Sequence, residues 1–188
     1  MSNPKFIIFT GPMFGSKTTR MLAAIDRYRY QNKNCLAFKP KMDKRYAAPF
    51  ITTHSGGRIP AVCVSTGEDL LEAVKHCSWT VDIIAVDEAF MIPDIAKALI
   101  KLFQAGHTII ISSIQLSANN KVFDEIRDIM PWATRIEVCP AVCPTCGTDA
   151  YYTHRKVEDI EEIAVGGSEL YEPRCWRHHD YFTRTINE

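Results

Sequence analysis

Apolar and polar positions alternate along the chain in blocks that predict strands followed by helices. Short apolar runs rich in β-forming residues predict strands at residues 5–10, 34–40, 81–89, 107–114 and 134–139. Apolar residues at helical spacing predict helices at residues 18–30, 68–77, 93–106 and 121–130. Residues 41–58 are polar and rich in turn formers, which predicts a long loop. This alternation is typical of an α/β fold with a mostly parallel, doubly wound sheet and helices on both faces.

The chain changes character near Val138. The residues that follow are rich in cysteines and turn formers and have little apolar periodicity. We therefore predict two domains, a sheet domain at residues 1–138 and a smaller domain at residues 139–188.

Composition excludes several classes of protein. The 188 residues include 22 acidic and 22 basic side chains, so bulk positive charge does not indicate a nucleic-acid binder. The apolar run near the start is too short for a signal peptide, and the sequence has no apolar stretch of the roughly 18 residues that span a membrane. Seven cysteines, an odd number, favour a reducing compartment, so we expect a cytoplasmic protein with no membrane or nucleic-acid partner.

A glycine-rich stretch, residues 11–18, lies between the first predicted strand and the first predicted helix. Phosphate-binding loops follow the pattern G-x-x-x-x-G-K-[ST], and Gly11, Lys17 and Thr18 occupy the matching places. Backbone N–H groups and the helix dipole would bind an anion there, with the lysine on outer phosphates and the hydroxyl on Mg²⁺. The alternative is a Gly-Pro turn with an incidental lysine, but the flanking strand and helix favour the phosphate loop.

The loop departs from the pattern just before its lysine, where Ser16 stands and the glycine has moved back to Gly15. Serine in a glycine-only backbone region costs of order 1–3 kcal/mol. We therefore predict that Gly15, rather than Ser16, carries the unusual dihedral.

Two acids, Asp87 and Glu88, end a buried strand that is predicted to neighbour the first strand. Ligands of open α/β sheets bind beyond the carboxyl ends of the strands. The aspartate would orient Mg²⁺, and the glutamate would accept a proton from an attacking hydroxyl. A solvated strand end commonly carries acids too, but the nearby phosphate loop favours the functional interpretation.

The cysteines near the C-terminus form two pairs of metal-ligand spacing. Cys143 and Cys146 form a C-x-x-C pair, and Cys175 and His178 form a C-x-x-H pair. Three sulfurs and one imidazole suit a closed, tetrahedral, structural zinc site. His179 competes for the fourth position, and a redox role competes for the first pair, although that role does not require the second.

The sequence contains, in this order, the stretches "GPMFGSKTT", "KPKMDKRY" followed by "TTHS", "VDEAFMIPDI", "AVCPTC", "AYYTHR", "VGGSELY" and "CWRH". Together, these stretches make the sequence resemble a type II thymidine kinase over nearly the whole chain. The resemblance implies a P-loop (RecA-like) kinase domain and a C-terminal zinc-ribbon domain whose lasso loop closes over the nucleoside. It implies transfer of the γ-phosphate of ATP to the 5′-hydroxyl of thymidine, with Mg²⁺ and structural Zn²⁺. It also implies a homo-oligomer, expected to be a tetramer.

The resemblance carries roles to individual residues, with Glu88 as the general base. It places ATP and Mg²⁺ at Gly11, Pro12, Met13, Phe14, Gly15, Ser16, Lys17, Thr18, Asp87 and Arg45. It places the nucleoside at Asp43, Met13, Met91, Ile114, Ala118, Thr153, Gly166, Gly167, Ser168 and Tyr171.

The chain departs from the family pattern in four places. They are the Gly15-Ser16 order, Phe90 where the family has a polar residue, Ala118 where an aromatic ring is frequent, and residues 114–123. Because Ala118 leaves room near the base, we predict tolerance of bulkier 5-substituted deoxyuridines. The alternatives are a pyrimidine deoxynucleoside kinase of altered or broader specificity, a non-catalytic nucleotide-binding protein and a DNA-dependent ATPase. The acidic residues 158–162 disfavour the last of these.

Overall fold

The computed structural model describes residues 3–43, 49–53, 55–157 and 165–185. Its strands are β1 (Phe6–Thr10), β2 (Cys35–Pro40), β3 (Phe50–Thr52), β4 (Arg58–Pro60), β5 (Val62–Val64), β6 (Ile83–Asp87), β7 (Thr108–Ser112), β8 (Arg135–Val138), β9 (Ala141–Val142), β10 (Asp149–Ala150), β11 (Tyr152–Arg155) and β12 (Tyr171–Arg174). Its α-helices are α1 (Lys17–Arg29), α2 (Gly67–Lys75), α3 (Ile95–Gln104), α4 (Asp124–Ile129) and α5 (Asp180–Thr185). Short 3₁₀ turns occur at Ala89–Met91, Met130–Trp132 and Trp176–His178.

Six strands form one parallel sheet in the order β5-β2-β6-β7-β1-β8. The central strands β6 and β7 are covered on both faces, which explains why their sequences are unbroken apolar runs. Strand β7 lies between β1 and β6. The prediction that the strand ending in Asp87 neighbours the first strand is therefore wrong by one position, because local sequence does not determine sheet order.

The helices cover both faces of the sheet, which confirms the predicted doubly wound α/β fold. On one face, Met21 and Ile25 of α1 pack on alternate strand residues such as Ile110. On the other face, α2, α3 and α4 pack on the intervening residues such as Ile109 and Ile111. Full burial of each such side chain contributes roughly 1.5–3 kcal/mol, so both faces stabilise the sheet.

Side chains determine where the helices of the second face begin. Thr66 and Asp69 form a capping box at the start of α2, in which each side chain accepts from the other's backbone N–H. The carboxylate of Glu125 in α4 accepts from the N–H groups of Asp94 and Ala96, both at 2.8 Å, and so caps α3. Of the helices in the described ranges, α1 is the longest with 13 residues, and none has the length and apolar character to cross a bilayer.

The sequence patterns missed several short strands. The predicted loop at residues 41–58 contains β3 and the start of β4, which pair as an antiparallel hairpin. Strand β5 at the sheet edge and the small strands beyond Val138 were also missed. Strands of two to four residues complete too few alternations for a period of two to be visible.

The C-terminal part builds a small core of its own. Strands β9 and β10 form one antiparallel pair, and β11 and β12 form another. The core between them consists of Ala141, Cys143, Ala150 and Cys175, with Phe14 of the phosphate loop packed against it. The predicted division of the chain at residue 138 stays a prediction.

Candidate active site and metal centre

The phosphate loop leaves β1 and enters α1 with an unusual backbone. Ser16, the residue before the helix, has φ 56° and ψ 24°, and Phe14 has φ 65°, so both are left-handed. Gly11 has φ 134°, whereas Gly15 lies outside the positive-φ region. The prediction that Gly15 rather than Ser16 carries the unusual dihedral is therefore wrong.

Gly15 is required by space instead of by φ. A Cβ atom at Gly15 would lie 2.3 Å from the carbonyl oxygen of Cys139, and one at Gly11 would lie 2.4 Å from the same atom. The Cys139 backbone is held against the loop because its N–H donates to the Thr10 carbonyl at 2.7 Å. The loop therefore has glycine where the Cys139 backbone approaches closely, and Ser16 carries the backbone strain.

The loop presents backbone donors towards the cleft. Left-handed residues between right-handed ones turn successive N–H groups to one side, which makes a concave anion site. Within the described residues, Ser16 makes no side-chain cap to the N–H groups of the first turn of α1, and that turn contains no acidic residue. These groups and the helix dipole favour a bound anion.

Three predicted side chains meet beside the loop. Lys17 is buried and its ammonium group donates to the Pro12 carbonyl at 2.5 Å. The hydroxyl of Thr18 donates to a carboxylate oxygen of Asp87 at 3.1 Å, which joins α1 to the end of β6. The structure thus brings the loop and Asp87 together although β7 separates their strands.

Glu88 follows directly and has a left-handed backbone, with φ 49° and ψ 45°. For a residue other than glycine this conformation costs of order 1–3 kcal/mol and is found disproportionately at functional sites. The turn is held by the N–H of Met91, which donates to the Glu88 carbonyl, and by the N–H of Phe90, which donates to Ser113 Oγ at 3.3 Å.

A cleft of about 500 Å³ lies in front of these groups. The predicted residues that line it are Met13, Phe14, Gly15, Ser16, Lys17, Thr18, Asp43, Asp87, Glu88 and Gly167. The sequence did not single out five further polar lining residues, namely Thr19, Thr52, Thr53, Ser55 and Glu169. The only signal for Thr52, Thr53 and Ser55 was the stretch "TTHS", whose first residue ends β3.

The remaining predicted site residues lie outside the lining of this cleft. They are Gly11, Pro12, Met91, Ile114, Ala118, Thr153, Gly166, Ser168 and Tyr171, while Arg45 lies outside the described residues. Met91 and Ile114 are buried in one apolar cluster, and Met13 and Val165 pack against it. Val165 and Gly167 therefore connect this cluster with the cleft. Ala118 is half-buried in the loop after β7.

Phe90 is also part of that apolar cluster. Its ring lies 4.7 Å from the ring of Phe123, measured between centroids. An aromatic pair at this separation stabilises the fold by about 0.5–1.5 kcal/mol beyond the contribution of its buried area, so the pair helps to hold the cluster together.

The two ligand pairs converge on one point. The ligand atoms of Cys143, Cys146, Cys175 and His178 all lie within 4.8 Å of one another. A tetrahedral zinc ion places sulfur ligands about 3.8 Å apart, and the Cys146 and Cys175 sulfurs are 3.7 Å apart. Donor type and spacing therefore fit zinc.

His178, not His179, is the fourth member of the cluster. Its Nδ1 lies 3.2 Å from the Cys175 sulfur. His179 is buried and its Nε2 lies 3.1 Å from the carbonyl oxygen of Thr153, so it faces away. Burial raises the pKa of the Cys143 thiol, but hydrogen bonds from neighbouring backbone groups and His178 outweigh it and lower the pKa to about 6. A thiol that ionises this readily suits metal binding.

The metal cluster and the phosphate loop are in direct contact. Phe14 packs against the core that contains Cys143 and Cys175. The N–H of Met13 donates to Thr153 Oγ1 at 3.1 Å. The C-terminal part therefore supports the conformation of the loop.

The structure combines a parallel sheet and a phosphate loop with an acidic pair at the end of β6 and a Cys₃His cluster. These features define a P-loop protein of the nucleotide-binding α/β class. The family model "Thymidine kinase" matches residues 5–179 of the chain. A thymidine kinase of Pyrobaculum aerophilum is 32% identical over 180 residues, which cover 92% of this chain and 97% of that protein. The chain belongs to the thymidine kinase family, which confirms the resemblance and makes it a kinase-type phosphotransferase.

Proposed function

We propose that the protein transfers the γ-phosphate of ATP to the 5′-hydroxyl of thymidine. The observation that carries the proposal is that Lys17, Thr18, Asp87 and Glu88 meet at one edge of the sheet around a single cleft. Family membership supports the choice of thymidine. A non-catalytic nucleotide-binding protein is not favoured, because the chain has the lysine and glutamate that phosphate transfer requires. A kinase of broader specificity is not favoured, because the family model and the similar protein are both thymidine kinases.

ATP would bind with its phosphates in the concave loop of residues 11–18. Backbone N–H groups of the loop and of the first turn of α1 would surround the β- and γ-phosphates. Lys17 now donates to the Pro12 carbonyl, and a phosphate oxygen would replace this carbonyl as its acceptor. The lysine is buried, so its positive charge acts on the phosphates in a region of low dielectric.

The Thr18 hydroxyl and the Asp87 carboxylate are the residues that would hold Mg²⁺. They fit the ion because both offer oxygen, lie 3.1 Å apart and leave coordination positions for phosphates and water. When bound, Mg²⁺ supplies positive charge that offsets the charge of the β- and γ-phosphates during transfer.

Glu88 is assigned as the general base. Its carboxylate lines the cleft next to Asp87, where it would accept the proton of the 5′-hydroxyl as the hydroxyl oxygen attacks phosphorus. The left-handed backbone of Glu88 interrupts the strand that carries Asp87, so the Glu88 side chain is positioned independently of that strand. Asp87 is thus assigned to metal binding and Glu88 to proton transfer.

The nucleoside would lie between the apolar cluster and the residues that precede β12. Met13, Met91 and Ile114 supply apolar contacts to the base, with Thr153, Ala118, Tyr171 and the turn 166–168 around it. Asp43 lines the cleft and is assigned to the sugar, and Arg45 is assigned to the phosphates of ATP. Backbone groups of the turn would form the hydrogen bonds to the base.

The zinc ion is assigned a structural role, because three thiolates and one imidazole fill all four tetrahedral positions. The tetramer and the cytoplasmic location also stay predictions.

The proposal predicts ATP-dependent phosphorylation of thymidine in a panel of nucleosides. Product formation should require ATP and Mg²⁺ and should be fastest with thymidine or a 5-substituted deoxyuridine. The panel includes purine deoxynucleosides and bulkier 5-substituted deoxyuridines, assayed by kcat/KM. Absence of any phosphorylated nucleoside, or a preference for a purine, would contradict the proposal.

The phosphate loop supplies a second prediction, in which the glycine matters more than the serine. Gly15→Ala places a Cβ against the Cys139 carbonyl, and overpacking of this kind costs roughly 1–3 kcal/mol. We expect the KM for ATP to rise by about 10-fold or more. Ser16→Gly removes about 1–2 kcal/mol of left-handed strain and adds freedom to the unfolded chain worth about 0.4–1 kcal/mol.

The expected result for Ser16→Gly is therefore a KM for ATP close to that of the parent and a slightly raised Tm. Steady-state kinetics at saturating thymidine, with thermal unfolding of each variant, check both expectations. Equal and mild effects of the two substitutions on the KM for ATP would show that the carbonyl contact does not shape the loop.

A further inference from the structure

Ser112 ends β7, the strand that separates the phosphate-loop strand from the strand of the acids. It lies in register with Phe9 of β1 on one side and with Asp87 of β6 on the other. Because side chains alternate along a strand, Ser112 faces the same side as Ile110, which packs with α1. Ser112 therefore lies on the face where Thr18 of α1 reaches Asp87.

The hydroxyl of Ser112 is buried and lacks a hydrogen-bond partner among the described residues. The residue is 1% exposed, and its Oγ makes no hydrogen bond there. The adjacent Ser113 is equally buried, but its Oγ accepts from the Phe90 N–H and donates to the Ile114 carbonyl. A buried hydroxyl without a partner is rare and lowers stability, so its presence at this position calls for an explanation such as a bound water or ion.

The surroundings of Ser112 restrict what this ligand is. Phe9 on one side is apolar, so the polar neighbour in register is the Asp87 carboxylate, which already accepts from Thr18. Ser112 Oγ makes no direct hydrogen bond to this carboxylate, and one water between the two groups would bridge them. Mg²⁺ keeps several of its waters when it binds proteins.

We infer that Ser112 is an outer ligand of the magnesium site, where its hydroxyl hydrogen-bonds a water of the hydrated ion that Thr18 and Asp87 hold. The inference rests on the proposed function, because it requires a divalent cation bound with nucleotide at this place. Ser112 positions the hydrated ion and takes no part in proton or phosphate transfer.

The test measures cation binding directly, with Mn²⁺ as a spectroscopic substitute for Mg²⁺. Free Mn²⁺ is quantified by electron paramagnetic resonance during titration of the full-length protein with saturating ADP. Ser112→Ala is expected to raise the Mn²⁺ dissociation constant of the ADP complex by about 10-fold, as is usual for residues that support metal ligands. Ser112→Thr keeps a hydroxyl and is expected to retain most of the affinity.

Thr108→Val is the control, because it removes a hydroxyl from the same strand at the end opposite to Asp87. Its Mn²⁺ dissociation constant should stay within about twofold of the parent, since its hydroxyl accepts only from the Lys5 N–H in the described residues. Without ADP and metal, Ser112→Ala should raise Tm by about 2–4 °C because a buried unpartnered hydroxyl is removed. Thr108→Val should not raise Tm, because its hydroxyl already has a partner.

The two levels of the hypothesis fail in different ways. If the parent protein binds no Mn²⁺ in the presence of ADP, the proposed function is contradicted and the inference with it. If the parent binds Mn²⁺ and Ser112→Ala binds it equally tightly, the proposed function stands and the inference is overturned. Equal losses of affinity in Ser112→Ala and Thr108→Val would also overturn it, because a general disturbance of β7 would then explain both.

Discussion

Replacement of Glu88 by Gln is expected to lower kcat by about 10²–10⁴-fold, the usual contribution of a general base. The carboxamide has nearly the same shape as the carboxylate but does not accept the proton of the attacking hydroxyl. The phosphate loop, Lys17 and the Thr18–Asp87 pair are unchanged, so affinity for ATP should stay within a few-fold of the parent. Single-turnover kinetics and calorimetric titration with ADP measure the two quantities separately.

The matched control for this change is Glu68→Gln, which alters an exposed glutamate at the start of α2, outside the cleft lining. It should leave kcat unchanged. A Glu88→Gln variant whose kcat lies within threefold of the parent would show that another group accepts the proton. A variant that also loses ADP binding would show instead that Glu88 maintains the structure of the cleft.

Loss of a ligand from the Cys₃His cluster should have the largest effect on stability. Structural zinc supplies roughly 10–16 kcal/mol in small zinc domains, as much as the total of about 5–15 kcal/mol that stabilises an ordinary domain. We therefore expect Cys143→Ser and Cys175→Ser to release zinc and to unfold the C-terminal part. Metal analysis and thermal unfolding measure these effects.

The contacts with the phosphate loop extend this prediction to catalysis. Phe14 packs on the core that contains Cys143, and the N–H of Met13 is hydrogen-bonded to Thr153 Oγ1. Loss of zinc should therefore also raise the KM for ATP. Cys63→Ser, at a thiol outside the metal cluster, is the control and should keep zinc and activity. Pure protein without zinc, or a chelator that changes neither Tm nor the KM, would contradict a structural metal.

Periodic patterns were sufficient for the main elements of the fold. Strands β6 and β7 are apolar throughout because both of their faces are covered, and the helices carry apolar stripes because one face of each packs on the sheet. The metal ligands were predictable for a related reason. The two residues of each pair lie close together in sequence, and their spacing suits a shared metal whatever surrounds it.

Other features lie outside the reach of local patterns. Strands of three residues, such as β3 and β5, depend on their partners more than on their own composition. The choice of His178 over His179 follows from the Thr153 carbonyl, which holds the second imidazole away from the cluster. The wrong expectation for Gly15 has the same origin, because the Cys139 backbone that crowds it follows β8, which neighbours β1 in the sheet but is distant in sequence.

The sequence by itself determined the class of fold, the phosphate loop, the acidic pair and the spacing of the cysteine pairs, because each of these is encoded within short stretches of the chain. Only the tertiary structure decided that His178 completes the Cys₃His cluster, that β7 separates the loop strand from the acidic strand and that Ser16 carries the strain. It also decided that Ser112 is buried beside Asp87 with no hydrogen-bond partner among the described residues. These features depend on which distant segments come into contact, and that is set by the packing of both faces of the sheet.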